Sequence, residues 1–450
     1  MRRVRLTSLA LALVVSRAAA EDAPLRAYRA ARIVTAPGAS AAGATLLVRG
    51  RLVEGVLGPG EKLPDGVVAV DLEDAVIIPA LVNPLTSISE RGVRDRGGAS
   101  GVPSLPAREP RDSRGAASKS AVKPADSVWR RLGRTGYGAL GWIADAGGFL
   151  AGQGVVVRPR IGKEKEASAL VVKEPAFLLL SYELGKRWRE VAEGELKKAA
   201  DAIVKESEAK KAAASPPAGS PAPAPSPAPT PTPAPSPPPA PSPPPPPSPP
   251  APAKPVDPLV RAMKGEIPLF IRVRTPAALD HFFRVYDALA VKPAFVLITT
   301  GLPQEIIEKL SRRRDRLAGV ILEPRIDPVG ETSVLSNPAR SFLENGFPVA
   351  FAPLADTLTG HERMLLYLAE LIKGGVSESD VLAGVTTVPA RFLGLEGKAG
   401  TLSKGVPASF GVYQGDPLSG TARLLKAFIE GAEVYSDDPR TLKVSGEAVR

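Results

Sequence analysis

The feature that most constrains this chain is the tract Ser215–Pro255, forty-one residues made almost wholly of Pro, Ala and Ser with some Thr. Such a composition cannot bury enough apolar surface to offset the entropy of ordering it, so the tract reads as extended, polyproline-II-rich, disordered chain. Whatever folds must therefore come from the two flanks. Residues 79–214 read as about four strand–helix units and residues 256–395 as about four more. Neither is a closed structure alone, so the tract reads as a long excursion between the halves of one (β/α)8, TIM-like α/β barrel; two independent domains are the alternative.

The ends of the chain add two further expectations. Residues 1–20 begin with Arg2, Arg3 and Arg5, continue through an apolar run from Leu9 to Val15, and finish at Ala18-Ala19-Ala20. This is the pattern of a cleavable signal peptide, and it predicts a periplasmic or secreted protein. Its loss would lower the formal charge from +11 to +7, because four arginines and no acid leave with it. That excess reads as a solvated surface able to meet anionic envelope polymers, with no nucleic-acid partner expected. No later stretch approaches the ~18 uninterrupted apolar residues of a membrane span, so no transmembrane segment is expected.

With no cysteine in the chain, disulfides, zinc–thiolate sites and a cysteine nucleophile are excluded. Only His281 and His361 supply imidazoles, too few for a histidine-rich metal site.

Between residues 24 and 78 the chain alternates short apolar strands with Gly and Pro turns, as in Ala44–Val53 and Gly66–Leu72, which reads as part of a small β-sandwich. The run Ile77-Ile-Pro-Ala-Leu-Val-Asn-Pro-Leu-Thr-Ser87 then reads as a buried strand ending in small and polar residues, where barrel enzymes place their chemistry. Strands are also expected at Tyr137–Ala144, Val155–Arg158, Ala169–Lys173, Ala176–Ser181, Ile267–Val273, Ala294–Ile298, Gly319–Glu323 and up to Phe351, with a glycine turn at Gly152-Gln-Gly154. Helices are expected over Lys186–Lys211, Thr275–Leu289, Pro303–Arg313 and Gly360–Lys373.

The Ile77–Ser87 order resembles the first barrel strand of the amidohydrolase superfamily, where a Pro-Gly-Leu-Ile-Asp-x-His-x-His run carries two metal ligands. The Gly-Gln-Gly turn resembles a loop of exported, imidazolonepropionase-like members. The block Val376–Leu395, with its Thr-Thr-Val-Pro-Ala-Arg-Phe-Leu-Gly-Leu ending, resembles the family's C-terminal signature. Residues 396–450, with Ala408-Ser-Phe-Gly-Val-Tyr and Phe428–Tyr435, would then supply strands that complete the β-sandwich begun at the N-terminus.

The resemblance implies a metal-activated water held by histidines on strands 1, 5 and 6 and an aspartate on strand 8, with a lysine or glutamate on strand 4 in some members. Carried onto this chain, it gives Leu85 and Ser87 on strand 1, Arg272 on strand 5, Thr300 on strand 6, Asp356 a few residues beyond strand 8, and Glu183 near the strand 4 position. No histidine ligand remains. Arg272, a permanent cation directed into the barrel, would repel a divalent metal and favour a carboxylate.

The expectation is thus an exported, metal-free pseudoenzyme, with Arg272, Thr300 and Ser87 binding an anionic small molecule or peptide at the barrel mouth and no cofactor. One alternative is a working hydrolase of carbon–nitrogen bonds, with Glu183 and Asp356 as weak catalytic candidates around zinc or another divalent metal. Another is a structural partner of an active paralogue, or a homo-oligomer. His281 reads as a surface or half-buried helix residue and His361 as a capping or surface residue. A metal-free pairing of Asp356 with His361 near Thr300 or Ser87 is a lesser alternative.

Overall fold

The structure is a computed structural model that describes residues 23–89, 121–123, 127–144, 149–159, 167–214, 256–299, 304–328 and 332–437. The leader 1–20, the Pro-rich tract 215–255 and Thr300 lie outside the described residues.

Seven short strands come first: β1 (Leu25–Arg29), β2 (Arg32–Ala36), β3 (Ala39–Ala42), β4 (Thr45–Arg49), β5 (Leu52–Leu57), β6 (Ala69–Asp71) and β7 (Val76–Pro79). Four of them form a sheet in the order β5-β4-β1-β6. The other three join β18 (Phe410–Gln414), β19 (Arg423–Ile429) and β20 (Ala432–Ser436) in a six-stranded sheet, order β20-β19-β18-β7-β2-β3. Residues of both sheets share one core, in which Phe410 and Phe428 stack at 4.4 Å and Tyr28 meets each ring edge-on or tilted.

The second sheet has eight strands. In ladder order they are β8 (Leu81–Thr86), β9 (Tyr137–Trp142), β10 (Leu150–Val157), β11 (Val171–Tyr182), β12 (Leu269–Val273), β13 (Phe295–Ile298), β14 (Leu317–Leu322) and β17 (Val349–Phe351), with a small hairpin of β15 (Asp327–Pro328) and β16 (Leu335–Ser336) between the last two. The result is a nearly closed barrel of mixed α/β type, to which the six- and four-stranded sheets are added.

One strand departs from (β/α)8 geometry. β10 pairs antiparallel with both β9 and β11, whereas all other neighbours in the barrel are parallel. A parallel crossover needs a dozen or more residues, and only Ile143–Phe149 separates β9 from β10. The first half therefore contains an antiparallel meander in place of the regular strand–helix units expected. Of the two expected strands Ala169–Lys173 and Ala176–Ser181, Ala169 and Leu170 end a short helix and the rest lies in one continuous strand, β11; Gly152-Gln-Gly154 lies within β10 and makes no turn.

The reason is steric. Gly154 pairs with Phe177, and a Cβ on Gly154 would lie 2.1 Å from the Phe177 ring. The glycine lets the ring lie across the neighbouring strand and stack on Phe270 at 4.6 Å, with 8° between the planes.

The helices cover the outer wall. α1 (Ser127–Gly133) precedes β9, α2 (Ala167–Leu170) precedes β11, and α3 (Lys186–Ala214) with α4 (Pro258–Met263) bridges β11 to β12. Then come α5 (Pro276–Ala288), α6 (Gln304–Ser311) and α7 (Pro338–Glu344). After β17 the expected single helix is broken at Arg363 into α8 (Leu358–Glu362) and α9 (Met364–Lys373), followed by α10 (Glu378–Ala383) and α11 (Thr387–Phe392).

Strand alternation sorts the residues into two cores. On β12, Leu269, Ile271 and Val273 face the helices while Phe270 joins Val82, Leu85, Phe177, Leu179 and Ile298 inside the barrel. Phe392 of α11 closes one end, its ring packed where a Cβ on Gly319 would come within 2.4 Å. The interior is a packed apolar plug, each large side chain contributing about 1.5–3 kcal/mol.

Gly154→Ala forces the methyl into the Phe177 ring and should lower stability by about 1–3 kcal/mol in urea denaturation, with partial recovery when Phe177→Leu is added. An unchanged midpoint would show that the aromatic stack does not set the barrel's packing.

Candidate functional site

Two polar contacts lie where the barrel ladder ends. β8 and β17 stand at opposite ends of the strand order and share no ladder. The chain after β17 bridges them with the Gly384–Val385 backbone, whose carbonyls accept from Phe351 N at 2.8 Å and Val82 N at 2.7 Å, and with side chains. Asp356 Oδ1 accepts a hydrogen bond from Thr86 Oγ1, and Oδ2 accepts from the Ser87 backbone N at 2.8 Å and from Ser87 Oγ at 3.0 Å. One turn on, His361 meets Asn83 of β8, with 2.9 Å between Nε2 and Asn83 Nδ2.

Local chemistry sets this geometry. Thr357 caps α8, its hydroxyl accepting from Gly360 N at 3.1 Å, which fixes Asp356 just before the helix and His361 one turn inside it. Gly360 is required because a Cβ there would lie 2.0 Å from the Ala355 carbonyl oxygen. His361 Nδ1 lies 2.7 Å from the Thr357 carbonyl, which can only accept, so Nδ1 carries the hydrogen and Nε2 accepts from the Asn83 amide. Asn83 Oδ1 in turn accepts from Leu85 N at 3.0 Å, and the Tyr137 ring meets the imidazole edge-on at 5.4 Å.

The imidazole is 1 % exposed, and burial pushes its pKa below the ordinary value, against the opposing pull of Asp356. His361 is thus a buried neutral tie, correcting the expectation of a capping or surface residue. Asp356 has both oxygens engaged, one by Thr86 of β8 and the other by Ser87 just beyond it.

The inward face carries other groups. Arg272 alternates along β12 with Ile271 and Val273, which join the outer core, and shares its face with Phe270. It is 5 % exposed and donates from Nε at 3.1 Å and Nη2 at 2.6 Å to Ser181 Oγ, its register neighbour on β11. Leu85 occupies the interior beside Leu179 and Ala352. Glu183 is half-buried beyond β11 and makes no hydrogen bond or ion pair with a described residue.

Sequence reasoning passed over Ser181, Asn83 and Thr86, and also Glu323. Glu323 is 5 % exposed at the end of β14, with Arg325 Nη1 at 3.6 Å. Its signal was a carboxylate directly following the apolar run Val320-Ile-Leu322.

His281, expected as a surface or half-buried helix residue, is 8 % exposed on the outer side of the barrel, its Nδ1 2.6 Å from Tyr182 Oη. Both imidazoles of the chain are therefore committed away from the interior. Among the described residues no group of three or more His, Asp or Glu is placed to hold a metal ion. Among the described residues the groups at the strand ends (Leu85, Arg272, Ser181 and Glu323) offer one carboxylate and no imidazole, too few anionic or imidazole ligands for a divalent cation.

No protein-family model and no curated protein matches this sequence. Solved structures do match its fold. An amidohydrolase from Thermotoga maritima MSB8 is similar with a TM-score of 0.65 and 17 % identity, over 91 % of this chain and 99 % of that one. A putative prolidase from Bifidobacterium longum is similar more distantly, with a TM-score of 0.49 and 13 % identity, over 91 % and 94 % of the two chains. The fold is shared with the Thermotoga maritima amidohydrolase.

Two measurements test the closure. Asp356→Asn turns an acceptor into a donor facing donors and should cost about 1–3 kcal/mol in urea denaturation; wild-type stability would refute a closing role. His361 stays neutral when folded while the unfolded chain protonates near ~6.5, so stability should fall as pH drops below that value, by at most ~1.4 kcal/mol per pH unit for this group. His281 shares the same sign, since burial lowers its pKa too, so the check is whether His361→Gln makes the decline shallower.

Proposed function

We propose that this protein is an exported, metal-free member of the amidohydrolase fold that binds an anionic small molecule or a peptide carboxylate at the barrel mouth without hydrolysing it. The observation that carries this reading is the placement of the two histidines. One ties α8 to β8 and the other joins Tyr182 on the outer wall. Without an imidazole at the strand ends, and with Leu85 and Arg272 there, the described residues hold no cluster of donors for a metal that would lower the pKa of a bound water.

Arg272 gives the mouth its recognition chemistry. A guanidinium is always charged, and a carboxylate is the partner that its planar array of donors fits best. Ser181 holds the Nε and Nη2 edge and so fixes the orientation of the group. Export rests on the N-terminal leader pattern, and no helix among the described residues is long and apolar enough to cross a membrane.

Mature protein produced with zinc and manganese present and purified without chelators should carry metal far below one equivalent. A screen of carboxylates and short peptides should yield a ligand whose binding is lost in Arg272→Gln with the fold intact. Stoichiometric metal with turnover of a cyclic amide would replace this reading with the hydrolase one.

A further inference from the structure

The outer wall carries a second feature, remote from the strand ends. α3 and α5 run beside each other and leave a groove of about 350 Å3 between them, within the range of small-molecule sites. α3 presents Glu193 and Lys197, four residues apart on one face; α5 presents His281, Arg284 and Ala288, spaced along its own facing stripe. Val285 and Leu289 supply an apolar floor.

The charges of the groove do not balance. Lys197 and Arg284 make no hydrogen bond or ion pair with any described residue. Arg189, one turn before Glu193 on α3, acts electrostatically on both His281 and Tyr182, and its Nε is buried with no hydrogen-bond partner. Against these three cations stands Glu193, whose Oε1 lies 3.4 Å from His281 Nε2.

His281 is held at the head of the groove. Its Nδ1 lies 2.6 Å from the Tyr182 hydroxyl, and its Nε2 faces Glu193 Oε1 at 3.4 Å. Burial, with Arg284 next, keeps the imidazole below its ordinary pKa, so the positive excess belongs to the lysine and the arginines.

We propose that this groove binds an amphipathic anion, a carboxylate or sulfonate carried on a hydrocarbon or aromatic body. The acid group would sit between Lys197 and Arg284 and the body on Val285, Ala288 and Leu289. An apolar floor under unpaired cations favours a ligand with both characters over inorganic phosphate, which would gain nothing from the floor, and over a neutral hydrocarbon, which would leave the cations unmatched. This site is independent of Arg272, which lies inside the barrel.

The test uses the full mature chain titrated with anilinonaphthalene sulfonate, read by fluorescence and competed with octanoate. Saturable binding displaced by octanoate is expected. The double variant Lys197→Ala/Arg284→Ala should weaken it about tenfold or more, and Ala288→Trp should weaken it comparably with the charges intact. Arg272→Gln should leave it unchanged, which separates this site from the barrel mouth. Unchanged affinity in the double variant, or displacement by phosphate as effective as by octanoate, would overturn the proposal.

Discussion

The closure of the barrel rests on ties between β8 and the segments that follow β17. Eight strands form the ladder with β8 and β17 at its two ends, and the Gly384–Val385 backbone meets both, accepting from Phe351 N at 2.8 Å and from Val82 N at 2.7 Å. An unsatisfied sheet edge is a liability that proteins cover, pair or blunt. Here Asp356 covers the end of β8 through Thr86 and Ser87, and His361 does so one turn later through Asn83. Each neutral hydrogen bond adds only about 0.5–1.5 kcal/mol net. Breaking one is costlier, because the orphaned groups are buried.

This use of acid and imidazole shapes what the molecule can do. In a barrel enzyme, chemistry sits on loops at the C-terminal ends of the strands. This chain spends its Asp356 and His361 near that end on holding strand 1 to the helix after strand 8. The interior beneath is filled by Phe177, Phe270, Leu179 and Ile298 and topped by Arg272 against Ser181. β11 turns its last two residues to opposite faces, Ser181 inward to Arg272 and Tyr182 outward to His281. One strand end thus positions the cation of the mouth and the imidazole of the outer groove.

The antiparallel β10 shows what was legible and what was misread. The expected strands Tyr137–Ala144 and Val155–Arg158 left only Asp145–Gly154 between them, already too short for a parallel crossover. Counting apolar runs as strand–helix units hid that constraint. The glycines of Gly152-Gln-Gly154 looked like a turn because glycine marks turns more often than close packing. Their need comes from Phe177 on a neighbouring strand, and no local pattern announces a ring that lies across the backbone.

The sequence by itself determined the inventory: two imidazoles, no thiol, Leu85 and Arg272 at strand ends, and enough apolar strands for a barrel. Periodicity also set which way Arg272 points, because alternation along a strand is local. Only the tertiary structure decided where Asp356 and both histidines went. Asp356 and Thr86 are 270 positions apart and Asn83 and His361 are 278 apart, and such partners meet only after the strands have closed. Burial then fixes their hydrogen-bonding roles, since a polar group withdrawn from water must take whatever partner the fold places beside it.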